Sequence, residues 1–199
     1  MKRLLVAATA PALALALSLT ATPAQAAAVK DKDVVPLATV AQSYPGLSDG
    51  ERAVVALKNV QAATSCKKAT SIKVKSGRSA AYTSTTDTTA PIVGVDVAQM
   101  KSVKVAKRVI KGDRIISGCK RVTQDGVTAT VKKIAAPKLG QERVGLSITI
   151  TQGEMTMVVD TYSFRQKARL VEMSVIYIDG KPQRKKSAAL AKKVYKAGL

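Results

Sequence analysis

Apolar and small or polar residues alternate regularly in the C-terminal half of this chain. Between residues 144 and 151 the apolar positions are Val144, Leu146, Ile148 and Ile150, and the positions between them hold only glycine, serine and threonine. A period of two is the period of a β-strand with one covered face. The pattern therefore predicts an antiparallel sheet in which Leu146, Ile148 and Ile150 face a layer of helices.

Similar runs extend the predicted sheet on both sides of this strand. They cover residues 92–97, 127–133, 155–162 and 168–178, with shorter strands from Ser71 and over 79–83. The pairs Asp125-Gly126 and Gln152-Gly153 supply turn residues around these strands. Helical spacing and capping residues predict helices over 51–63, 101–116 and 184–196. The fold class that follows is α+β: a two-layer domain with a central, mainly antiparallel sheet, helices on one face and one disulfide.

The first 26 residues have the layout of a cleavable secretory signal. Lys2 and Arg3 precede an apolar run, and the segment closes on Ala24-Gln25-Ala26. The alternative is a transmembrane anchor, but Pro11 interrupts the run and no basic cluster follows it. We expect a secreted protein, either released or retained at the cell envelope, with no integral membrane segment after cleavage. Residues 27–46 are predicted to be a flexible lead-in, and residues 47–199 a single domain.

The two cysteines, Cys66 and Cys119, belong to the predicted exported part of the chain. An even number of cysteines in an oxidising compartment favours one disulfide, and two buried thiols are the alternative.

Several kinds of chemistry are excluded by residue type. The chain has no histidine, which rules out a Ser-His-Asp or Cys-His nucleophile and histidine metal ligands. We expect no cofactor and no metal.

Ser65 and Lys68 match the S-x-x-K motif of penicillin-binding enzymes, but the partner motifs are not at the required separations, so a loop beside a disulfide is the simpler interpretation. Glu172 lies in an apolar strand and, if buried, is the first acid to suspect of a function.

Positive charge is the main functional signal, with a formal net charge of +20. It predicts an anionic partner. Six aromatic residues, no RNA-binding motif and an export signal argue against nucleic acid. An anionic cell-wall polymer or lipid headgroup is the better candidate, and a solvated surface without a partner is the alternative. The candidate anion-binding residues recur at helical spacing: Lys101, Lys104, Arg108, Lys111, Lys185, Lys192 and Lys196.

The order of elements resembles a known family. A helix ends near Cys119, the turn 136–140 precedes an alternating strand, a later strand includes 171–178, and a basic amphipathic helix ends the chain. This arrangement is similar to the actinobacterial secreted and lipoprotein sensor family, related to the extracellular sensor domain of PknH-type serine/threonine kinases. The resemblance implies a small α+β domain whose cysteine after the middle helix is bonded to one nearer the N-terminus. The chain departs from that family in lacking tryptophan and a lipobox cysteine.

Three functions follow, in order of preference. The first is a non-enzymatic, sensor-like binding domain of the cell envelope. The second is a carrier of an apolar or lipid-like molecule, in a cavity lined by Met100, Met155, Met157 and Met173. The third is a hydrolase that uses Ser65 and Lys68. The sequence leaves the ligand and the oligomeric state open.

Overall fold

The computed structural model describes residues 27–124 and 127–199. The predicted signal segment, residues 1–26, and the predicted turn Asp125-Gly126 lie outside the described residues. Within them, no helix is both long and apolar enough to cross a lipid bilayer.

Ten strands and three helices make up the described chain. The strands are β1 (Glu51–Ala56), β2 (Asn59–Ser65), β3 (Lys68–Lys73), β4 (Ser76–Thr83), β5 (Ile92–Gln99), β6 (Arg121–Gln124), β7 (Val127–Lys133), β8 (Glu142–Gln152), β9 (Met155–Gln166) and β10 (Arg169–Ile178). The helices are α1 (Leu37–Ala41), α2 (Val103–Ser117) and α3 (Arg184–Ala197). The predicted strands of the C-terminal half and the helices α2 and α3 are confirmed, and β6 was missed.

Eight strands form one antiparallel sheet in the order β1-β4-β5-β10-β9-β8-β7-β6, and β2 and β3 form a separate hairpin. Because partners in register share a sheet face, Val144, Ser163, Glu172 and Asp96 lie on one side. Tyr162 and Met173 lie on the other side. The α+β class with a mainly antiparallel sheet is confirmed.

The two long helices lie on opposite faces of this sheet, which corrects the expected two-layer arrangement with helices on one face. Helix α2 buries Ala106, Val109 and Ile110 against Val144 and Leu146. Helix α3 packs in a different cluster, which includes Tyr162, Phe164 and Met173. The predicted orientation of Leu146 is confirmed for α2 alone, and Ser147 on the reverse face is also buried because that face is covered too.

The helix predicted over residues 51–63 is wrong. This segment forms β1, which pairs with β4, and β2, which pairs with β3. Val60 and Ala62, two residues apart, are buried against α2, so the operative period is two. The partner strands that select this conformation lie later in the chain.

The segment predicted to be a flexible lead-in, residues 27–46, is instead packed into the core. Val34, Val40 and Tyr44 are buried in the cluster that holds α3. The Tyr44 hydroxyl lies 2.8 Å from that of Tyr177 on β10 and 2.9 Å from that of Ser187 on α3. The apolar residues of this segment thus cover the sheet beside α3.

One disulfide joins Cys66 and Cys119, with Cα atoms 5.8 Å apart, as predicted. Cys66 follows β2 and Cys119 follows α2, so the bond ties the β2–β3 hairpin to α2. We call these two elements, residues 59–73 and 103–117, the cover, because together they lie over one face of the sheet.

Candidate functional site: a cation-lined cleft beside buried carboxyl groups

The predicted anion-binding residues are all exposed but lie in two separate rows. Lys104, Arg108 and Lys111 lie along α2 on the outside of the cover, whereas Lys101 precedes the helix, which begins at Val103 and not at residue 101 as predicted. Lys185, Lys192 and Lys196 follow α3. Because the two helices lie on opposite sides of the sheet, the structure does not bring the two rows together into one positive surface.

A cleft of about 450 Å³ opens at the C-terminal end of α2. Its walls come from Arg114 and Ser117 of α2, the segment 133–136 and residues 141–145. Gly145 makes this arrangement possible, because a Cβ atom there would lie 2.6 Å from the carbonyl oxygen of Ile134. Sequence reasoning missed the cleft. Its one signal was Arg114, three residues beyond Lys111 and therefore on the same side of the helix.

Two cations and one carboxylate on the α2 side of the sheet contribute to the walls of this cleft: Arg114, Lys133 and Glu142. Arg143 also belongs to the wall, but its register partner is Phe164, so its side chain lies on the opposite face of the sheet. Glu142 is engaged by two arginines, since its Oε1 lies 3.0 Å from Nη1 of Arg114 and its Oε2 accepts a hydrogen bond from Nε of Arg165. Burial alone raises the pKa of the Glu142 carboxyl, but the hydrogen bonds and charges of Arg165 and Arg114 bring it below its ordinary range. The positive charge of Lys133 has no equivalent carboxylate partner in the cleft wall.

Arg165 anchors this ion group to the sheet. Its side chain is only 4% exposed. Besides Glu142, its Nη1 donates to Oε1 of Gln141 at 2.9 Å and to the carbonyl oxygen of Lys167 at 2.7 Å. A buried guanidinium needs such partners, because an unpaired charge in the interior is strongly unfavourable. Arg165 therefore holds the start of β8, and with it one wall of the cleft.

Carboxyl groups are buried between the sheet and α2, next to the cleft. Glu172 of β10 is 8% exposed, and Asp113 of α2 is 1% exposed. The Ser163 hydroxyl donates to Oε2 of Glu172 at 3.1 Å, and neither carboxyl oxygen of Asp113 has a hydrogen bond in good geometry. Asp96, half-buried on β5, is the register partner of Glu172. The sequence pointed to Glu172, but Asp113 and Asp96 were missed.

Burial dominates the ionisation of all three acids. It raises the pKa of Asp113 to about 7, against the opposing effects of Ser163 and Arg114. It raises the pKa of Asp96 to about 6, against the hydroxyl of Ser79. The pKa of Glu172 is raised well above its ordinary range by burial and then by the charges of Asp113 and Asp96. Among the described residues no such side chains are grouped closely enough to hold a metal ion.

The residues on which the hydrolase and carrier hypotheses depend lie in separate parts of the structure. Ser65 and Lys68 are exposed at the end of the β2–β3 hairpin, where the Ser65 hydroxyl accepts a hydrogen bond from the backbone N–H of Lys67 at 3.2 Å. Met100 and Met173 are buried in different clusters on opposite faces of the sheet, and Met155 is exposed. The four methionines therefore do not line a common cavity.

No protein-family model matches this chain, and neither does any curated protein. Among solved structures, the chain is similar to the extracellular domain of PknH from Mycobacterium tuberculosis. The two share 11% sequence identity, with a TM-score of 0.57, over 86% of this chain and 97% of that chain. The fold is PknH-like. At this identity the likeness concerns the fold, and it agrees with the family that the order of elements suggested.

Proposed function

We propose that this chain is an exported, non-enzymatic, sensor-like domain that binds an anionic component of the cell envelope. The PknH-like fold supports the sensor-like part of the proposal. The anionic partner rests on one observation: the exposed cations of α2 continue, through Arg114, into the cation-lined cleft.

The partner that best fits this arrangement is a polymer with repeated anionic groups. Lys104, Arg108 and Lys111 lie along α2 and Lys101 directly precedes it, so the four cations can contact successive charges on an extended chain. One charged group of the polymer would enter the cleft beside Arg114 and Lys133. A wall polymer carrying phosphate offers such spacing. A lipid headgroup offers the same charge but only at the surface of a bilayer.

The two basic rows provide a matched comparison. We expect replacement of Lys101, Lys104, Arg108 and Lys111 by Gln to leave stability nearly unchanged, since exposed charges contribute little to it. The same change should weaken binding to isolated cell wall at low salt by at least about tenfold, because counterion release drives such binding. The control replaces four exposed lysines of α3 by Gln: Lys185, Lys186, Lys192 and Lys196.

Binding is measured by co-sedimentation with purified wall over a range of salt concentrations, and in parallel with vesicles of anionic lipid. Equal losses in the two variants would mean that binding depends on net charge alone, which contradicts a site on α2. Binding that resists high salt would contradict the electrostatic basis of the proposal. Selective loss on vesicles but not on wall would replace the polymer by a lipid surface. Antiserum against the chain, applied to medium and envelope fractions, tests export.

A further inference from the structure

The cover is held to the sheet by contacts along one interface. Its own two parts are closely joined: the Cys66–Cys119 bond links them, and a Cβ atom on Gly112 would lie 2.6 Å from the backbone nitrogen of Ala63. The hairpin and α2 are therefore expected to move together. Their contact with the sheet is mostly apolar and includes Ile110 of α2 and Leu146 of β8.

Asp113 and Glu172 interrupt this apolar interface. Asp113 comes from the cover and Glu172 from the sheet, and both are almost completely buried. Ser163 supplies a hydroxyl hydrogen bond to Glu172, and Asp113 has none in good geometry. The two nearest guanidinium groups, those of Arg114 and Arg165, are directed to Glu142. Two carboxyls in this setting cannot both ionise without a large free-energy cost.

We propose that Asp113 and Glu172 form a proton-controlled latch, which holds the cover against the sheet when the pair is protonated and loosens it when the pair ionises. This inference does not rest on the proposed function, because it needs neither an anionic ligand nor export. Its consequence is a conformational response to pH that is confined to one face of the molecule.

The ionisable groups around Asp113 and Glu172 affect the pH range over which the latch ionises. Arg114 on α2 lowers the pKa of Asp113, and Asp96 on β5 raises that of Glu172. The side of β2 that faces α2 is apolar, with Val60 and Ala62. Other charged groups on this side of the sheet include Glu142 on β8, Arg165 on β9 and Lys133, exposed at the end of β7.

The sign of the response follows from proton linkage. The pKa of Asp113 rises from its ordinary value to about 7 in the folded state, and that of Glu172 is raised too. The folded state therefore binds more protons than the unfolded state between about pH 4 and pH 7. Stability is greatest on the acid side of this window and falls as the pH rises through it, and the loss should concentrate in the cover.

The test measures unfolding and amide hydrogen exchange at pH 5 and pH 8. For the wild type we expect the folded-to-unfolded ratio to fall by on the order of a hundredfold between these values. Protection factors in α2 should fall more than those in α3. Asp113→Asn and Glu172→Gln keep the shape of each side chain without the charge, and should flatten the pH dependence. Glu154→Gln, at an exposed position, should retain the wild-type profile.

If the two carboxyl groups have only a structural role, the result differs. Asp113→Asn and Glu172→Gln would then each lower the stability by the same amount at pH 5 as at pH 8. Parallel profiles for wild type and variants would overturn the proposal. Should either variant fail to fold, the carboxyl carbons of Asp113 and Glu172 can be titrated by NMR in the wild type. Midpoints above pH 6 support the latch, and midpoints below pH 5 for both groups overturn it.

Discussion

At the residue scale, Glu142 is the group that joins the cleft to the core. Its carboxylate contacts the exposed Arg114 on one side and the buried Arg165 on the other. Arg114 can turn to solvent if this partner is lost, but Arg165 cannot. Most of the energetic effect of Glu142 is therefore exerted on the buried guanidinium.

We expect Glu142→Gln to destabilise the protein by about 2–3 kcal/mol, since a charged hydrogen bond to a buried arginine is lost. The pKa of Glu142 is lowered in the folded state, so its contribution is present at neutral pH and disappears as the pH falls below about 4. The measurement is urea unfolding at pH 7 and pH 3. Glu154→Gln serves as an exposed control, and an equal effect of the two variants would contradict this role of Glu142.

The buried acids Glu172 and Asp113 show how far single residues can be predicted. Glu172 was identifiable because it lies in an otherwise apolar strand, where a carboxyl must be buried or the strand exposed. Asp113 sits in α2 among lysines and arginines, which is typical of a solvated helix face. Only the packing of α2 on the sheet shows that this side of the helix is turned inward.

At the scale of the element, α2 is defined by its capping residue and by one glycine. The Ser102 hydroxyl accepts a hydrogen bond from the backbone N–H of Val105 at 3.4 Å, at the N-terminus of the helix. Gly112 lies in the last turns of the helix, where glycine has a low helix propensity. In the structure, the absence of a side chain at Gly112 lets α2 approach the backbone of β2 at Ala63.

Gly112→Ala tests this close approach. In an isolated helix the change would add about 1 kcal/mol of stability. Here the new methyl group would push α2 away from β2, and overpacking of this kind costs about 1–3 kcal/mol. We expect net destabilisation of about 1–2 kcal/mol in thermal unfolding, with the disulfide intact. Gly118→Ala is the control, because its added Cβ atom would lie 3.4 Å from the carbonyl oxygen of Ile115, an ordinary contact distance. Stabilisation by Gly112→Ala would contradict the packing.

The strands β1 and β2 illustrate why the segment 51–63 was predicted to be a helix. Val54, Val55 and Val60 fit neither period clearly, and the segment follows a possible capping residue at Ser48. The strand conformation is selected by β4, which pairs with β1, and by β3 and α2, which enclose β2. Local propensity is weak compared with such long-range pairing.

At the scale of the whole molecule, the sheet is covered on both sides by unlike layers. The disulfide-linked cover lies on one face, and α3 with the N-terminal segment 27–47 lies on the other. The latch and the cleft belong to the first layer. The basic row on α3 belongs to the second layer. Measurements on α3 can therefore serve as a control for changes that affect α2.

The N-terminal segment should contribute to global stability. Leu47 is fully buried in the α3 cluster. Leu47→Ala is expected to lower the free energy of unfolding by about 2–5 kcal/mol, because it leaves a cavity in a packed core. Leu199→Ala, at a position that is 53% exposed, is the matched control and should have little effect. Equal denaturation midpoints for the two variants would show that the segment does not belong to the cooperative unit.

The sequence by itself determined the α+β class, the antiparallel order in the C-terminal half, the helices α2 and α3 and the joining of Cys66 to Cys119. These follow from local periodicity, turn residues and a cysteine count that allows one pair. The tertiary structure alone decided which face each helix covers and that residues 27–46 are packed. It also decided that Asp113 and Glu172 are both buried between α2 and the sheet, beside a cation-lined cleft. Such features depend on contacts between residues far apart in the chain. Local periodicity does not determine which distant residues come into contact.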